Sequence, residues 1–70
     1  MTRNWNKKNF IEQIGTLLRF CEVGVEKAEY CNEDTEGEFA CIFMYRGTIV
    51  PVDITGLSKL EVFKEILKKV

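Results

Sequence analysis

The sequence contains no histidine. That removes the side chain most used as a general base near neutral pH, and the commonest metal ligand. Its three cysteines, Cys21, Cys31 and Cys41, recur every ten residues. That spacing matches no zinc pattern and supports no disulfide framework, so they read as small buried hydrophobes. An excess of one charge is also missing: ten basic and eleven acidic side chains leave a net charge of −1. No basic surplus therefore advertises nucleic acid. No apolar run approaches the length of a membrane span, and the opening Met-Thr-Arg-Asn-Trp-Asn-Lys-Lys lacks the apolar segment of a signal peptide. A cytoplasmic location without a membrane segment is the expectation. Glycine-rich phosphate loops, nucleophile elbows and H-E-x-x-H are all absent. Seventy residues leave little room for a pocket that would shift carboxylate pKa values. The expectation is a chain that is not an enzyme and takes no cofactor and no metal.

What is present is an ordinary globular composition, 46% hydrophobic and 30% charged. Such a length predicts one domain over residues 1–70, with a small core and a stability of roughly 3–5 kcal/mol. The most apolar stretch is Phe39 to Thr55, rich in β-branched and aromatic residues around Arg46-Gly47. It predicts a β-hairpin. A two-residue turn at Arg46-Gly47 pairs Phe43 with Val50, Cys41 with Val52 and Phe39 with Ile54, and puts those six on one face. A three-residue turn, Tyr45 to Gly47, shifts the register. The six are the larger set and uncharged, so the expected core face is theirs. The other face carries Ala40, Ile42, Met44, Ile49, Pro51 and Asp53. Pro51, the only proline, lacks an amide hydrogen and marks the last strand as an edge.

Helical periodicity runs over 7–22, where Phe10, Ile11, Ile14, Leu17, Leu18 and Cys21 form one stripe. Asn6 is the expected N-cap, Trp5 and Phe10 the hydrophobic staple, and Gly24 the left-handed residue that ends the helix. Gly15, in mid-helix, points to a close approach by a neighbouring element or to a tolerated weak position. Residues 25–31 predict a strand with Ala28 and Tyr30 on the core face and Val25, Lys27 and Glu29 on the other. Ser58-Lys59-Leu60-Glu61 fits a capping box, with Leu57 and Val62 as staple. Leu60, Phe63, Ile66, Leu67 and Val70 follow as the apolar stripe. The predicted class is α+β, in the order α-β-β-β-α: a three-stranded antiparallel meander with both helices packed on one face.

Three groups of residues are candidate contacts. Val25, Ile42, Met44, Ile49 and Pro51 would lie on the sheet face that the helices leave open, an interface for a homodimer or another protein partner. Six of the eleven acids fall between Glu26 and Glu38. Of these Glu33, Asp34, Glu36 and Glu38 read as a solubilising tip or a docking patch for a basic partner. Asn32, Asp34, Glu36 and Gly37 echo an EF-hand loop, but its twelfth position needs a bidentate Glu and holds Phe43. Lys7 and Lys8 sit in a first helical turn, where the dipole disfavours cations. With Arg3 they are a possible anion contact, and the rival reading is a nucleic-acid-binding protein that uses this basic start.

The order α-β-β-β-α resembles the double-stranded RNA-binding domain. That family holds phosphates with a lysine cluster at the start of the last helix, where Ser58-Lys59-Leu60-Glu61 has one lysine beside an acid. The likeness therefore implies topology only. Val52-Asp53-Ile54-Thr55, then Ser58 and a closing helix, resembles the C-terminal part of small phage and mobile-element proteins. That likeness implies an accessory protein that acts by contact, without catalytic residues, on a host factor.

Overall fold

The computed structural model describes residues 6–33 and 37–70. The order is α1 (Lys7–Phe20), β1 (Val25–Glu33), β2 (Gly37–Met44), β3 (Ile49–Asp53) and α2 (Lys59–Lys69), an α+β arrangement. The strands form one antiparallel sheet in the order β1-β2-β3, with α1 over β1 and α2 by β3.

Both helix starts follow from their caps. The Asn6 side chain accepts from the Asn9 amide at 3.0 Å. Ser58 accepts from the Glu61 amide while the Glu61 carboxylate accepts from Ser58 N–H, so two of the first-turn donors left over by the helix are satisfied. Trp5, the expected staple partner, lies outside the described residues. At the end of α1 the left-handed residue directly after the C-cap Cys21 is Glu22 (φ 58°); Gly24 is left-handed too, at φ 92°, but comes later than expected. Gly24 lies two residues on, and its carbonyl accepts from Tyr45 N–H at 2.9 Å, tying the helix exit to the hairpin.

The hairpin takes the three-residue turn. Met44 N–H donates to Thr48 O (2.8 Å), Gly47 N–H to Met44 O (2.9 Å), and Gly47 is left-handed at φ 95°. A turn followed by a left-handed glycine is a common three-residue hairpin. Phe43 thus pairs with Ile49, Cys41 with Pro51 and Phe39 with Asp53. The two-residue register is corrected, and β2 turns its other face to the core.

The cause lies in α1. A Cβ on Gly15 would fall 2.4 Å from the Ala28 amide nitrogen, so helix and strand meet almost backbone to backbone. That leaves room beneath α1 for the small Ala28, and its pairing partner Ile42 is buried on the same side with Ala40, in place of Phe39 and Phe43. The size of an apolar set therefore does not decide which face of β2 is the core face. Ala40, Ile42, Val52 and Ile54 pack with Ile11, Ile14, Leu18, Val62 and Ile66. Val25 joins them because the β1 register shifts between Val25 and Lys27, which reverses its facing.

Candidate functional site: the open face of the sheet

With the register known, the uncovered face follows by alternation. It carries Lys27, Glu29 and Cys31 on β1, Phe39, Cys41 and Phe43 on β2, and Ile49, Pro51 and Asp53 on β3. Of the five expected interface residues, Ile49 and Pro51 are here and exposed. Val25 and Ile42 are fully buried, and Met44 packs against the core. Those three are corrections. Phe39, Phe43, Cys31 and Cys41, which sequence reasoning missed as face residues, take their place, each half-buried. Their signal was present, since odd-numbered positions on β2 alternate away from Ala40 and Ile42.

Side chains on this face brace one another. The Lys27 ammonium lies 3.1 Å from Glu29 and 5.0 Å from the centre of the Phe43 ring. Cys31 and Cys41 bring their sulfurs within 3.2 Å. Pro51 sits where its missing amide hydrogen does no harm. Ladder bonds join Met44 to Thr48 and Glu38 to Ile54, so the position opposite Cys41 is a non-hydrogen-bonded one. Asp53 turns aside to accept from Thr55 N–H at 3.0 Å, and that bond holds its carboxyl below the usual carboxylate range. The Thr55 hydroxyl in turn accepts from Glu38 N–H at 2.9 Å.

Of the other candidates, Lys7, Lys8 and Glu38 are engaged within the chain. Both Glu38 carboxylate oxygens accept from Lys7 Nζ, at 2.6 and 2.7 Å, and one also accepts from the Tyr30 hydroxyl at 2.8 Å. Hydrogen bonds from Lys7, then from Tyr30, hold the Glu38 carboxyl below its ordinary value. The Tyr30 phenol is pushed up, first by burial and then by its bond to Glu38. Lys8 pairs with Glu12 at 2.8 Å. The first-turn lysines that break the dipole rule thus have carboxylate partners. Glu38 faces α1 instead of joining an acidic tip. Arg3, Asp34 and Glu36 lie outside the described residues, as does the Glu33 side chain. Cys21 is exposed, so none of the three cysteines is the buried hydrophobe expected.

A second apolar feature lies between the helices. Phe10, Ile14 and Leu17 of α1 and Lys59, Leu60 and Phe63 of α2 line an open cleft of about 470 Å³. Leu17 and Leu60, expected to face the sheet, are more than half exposed. Among the described residues no group of three or more Cys, Asp or Glu is placed to hold a metal ion, and no helix is long and apolar enough to cross a membrane. Comparison with known proteins finds no matching family, no matching curated protein and no matching solved structure.

Proposed function

We propose that the chain is a non-catalytic interaction module that self-associates face to face through the open side of its sheet. The observation that supports this reading is the set Phe39, Phe43, Ile49 and Pro51, gathered on a face to which neither helix contributes. Contiguous apolar surface of this kind marks interfaces. Charges around it carry both signs, Lys27 against Glu29 and Asp53, so a second copy meets no single-sign field. Three strands about 4.8 Å apart and five residues long give a face of roughly 10 by 17 Å. So small an area implies weak association, on the order of micromolar.

The reading extends to an accessory protein of a phage or mobile element, acting in the cytoplasm, through the likeness of Val52-Asp53-Ile54-Thr55 and Ser58. Asp53, Thr55 and Ser58 already have local hydrogen-bonding work, so the self-association stands apart from that likeness. Sedimentation equilibrium tests it. The wild type is expected to dimerise in the micromolar range, and Phe43→Thr with Ile49→Thr to be monomeric with an unchanged circular dichroism spectrum. A wild type monomeric throughout that range refutes the dimer. A folded double variant that still dimerises moves the interface elsewhere, with the helical cleft first in line.

A further inference from the structure

We infer that Cys31 and Cys41 form an oxidisable dithiol, a modification site for low-molecular-weight disulfides such as oxidised glutathione. The two residues are diagonal neighbours, Cys31 opposite Phe39 and Cys41 opposite Glu29. Diagonal pairs in an antiparallel sheet usually stand farther apart than direct pairs. Here both side chains point to the open face and lean together, with sulfurs 3.2 Å apart. The right-handed twist of the strands draws one diagonal inward and so allows this approach. The strand order puts β1 beside the central β2, so closing the pair needs no crossing of a third strand. Both residues are partly exposed, which gives a small reagent access. Cys21, near the end of α1, is exposed but has no second cysteine beside it in the sheet.

The chemistry balances without an outside metal. The thiolate of one cysteine attacks a glutathione sulfur, forms a mixed disulfide and expels one glutathione thiolate. The neighbouring thiolate then attacks the protein sulfur of the mixed disulfide and expels the second. One protein disulfide forms, one glutathione disulfide is reduced by two electrons, and the two protein protons end on the two glutathione thiols. Preset proximity makes the second step intramolecular, so the mixed disulfide does not accumulate. The product links β1 directly to β2.

The test equilibrates the full chain with glutathione redox buffers, at a concentration where sedimentation finds it monomeric. This separates the outcome from that of the proposed dimer, which would cover the same sulfurs. Peptide mapping after acid quench is expected to find Cys31 joined to Cys41, with Cys21 not part of that bridge. The urea-unfolded chain is expected to need a [GSH]²/[GSSG] ratio at least about tenfold lower for half-oxidation, because only the fold holds the sulfurs together. Cys21→Ser is expected to keep the bridge, and Cys31→Ser to stop at a mixed disulfide on Cys41. Stable glutathione adducts on both wild-type cysteines, bridges to Cys21 or between chains, or equal ratios for folded and unfolded protein would each overturn the inference. The wild-type map decides even where a variant fails to fold.

Discussion

Gly15 is the residue on which the packing turns. Alanine there would raise intrinsic helix propensity by about 1 kcal/mol. Its Cβ, however, would lie 2.4 Å from a backbone nitrogen and 2.8 Å from the Ala28 Cβ, and a strand backbone cannot swing aside like a side-chain tip. Overpacking of this kind costs about 1–3 kcal/mol or more, so Gly15→Ala is expected to be net destabilising. Urea denaturation reads it, and a more stable Gly15→Ala would mean that α1 does not lie so close to β1. Glu38 gives the second prediction at this scale. Its carboxyl is held below the ordinary glutamate value by Lys7 and Tyr30, so the folded state binds the proton less readily than the unfolded one. The resulting stability is present above the unfolded value of about 4.3 and is lost as pH falls through the lower folded value. The advantage of the wild type over Glu38→Gln should be largest near neutrality and shrink as the pH falls below the unfolded value. An advantage that stays constant across that range would show that the carboxylate charge contributes nothing. The partners of Lys7 and Glu38 were not legible in the sequence, because they lie 31 positions apart and meet only after the sheet brings β2 under the start of α1.

At the scale of elements, the N-caps, the helix starts and the order of strands were legible, because each rests on neighbours a few residues away. Asn6 and Ser58 name their helix starts without tertiary help. The hairpin register was not legible, because Arg46-Gly47 fits both turn lengths and the choice is made by what lies above the sheet. Alternation on β2 offers two apolar faces, and only the close seat of α1 on Ala28 selects the one with the smaller residues. A pair of truncations checks the selection. Ile42→Ala empties a fully buried site and is expected to cost about 2–5 kcal/mol. Phe43→Ala removes a half-buried ring from the open face and is expected to cost less, roughly 1–2 kcal/mol, at concentrations too low for association. Chemical denaturation of both variants decides between the registers. A larger loss for Phe43→Ala would restore the two-residue turn and put Ile42 and Met44 back on the outside.

At the scale of the whole molecule, the sheet has two unequal sides. One is closed by α1 and α2 over a core that holds, among the described residues, eleven buried apolar side chains, with Ile11, Ile42, Ile54 and Ile66 the largest of those fully buried. On the other, among the described residues, Phe39, Phe43, Cys31 and Cys41 are left half-buried, without a helix over them. The helices do not use all their apolar surface either, since Leu17 and Leu60 turn toward the cleft between them. The sequence made both stripes legible but not how they divide between sheet and cleft, because each stripe is wider than the strand beneath it. A monomer of this size has little stability in reserve, about 3–5 kcal/mol. Association of the folded state through the open face therefore adds a visible fraction by mass action. Raising the protein about a hundredfold above the dimer dissociation constant should stabilise the fold by roughly 1 kcal/mol. In a domain this small, that raises the melting temperature by about 4–8 °C. Calorimetry over such a dilution series should find the midpoint climbing with concentration for the wild type and level for Phe43→Thr with Ile49→Thr. Leu17→Gln with Leu60→Gln should climb like the wild type, because both leucines belong to the helical cleft. The reverse pattern, a level curve for the leucine pair and a climbing one for the sheet pair, would assign self-association to the cleft and leave the open sheet face without a second copy.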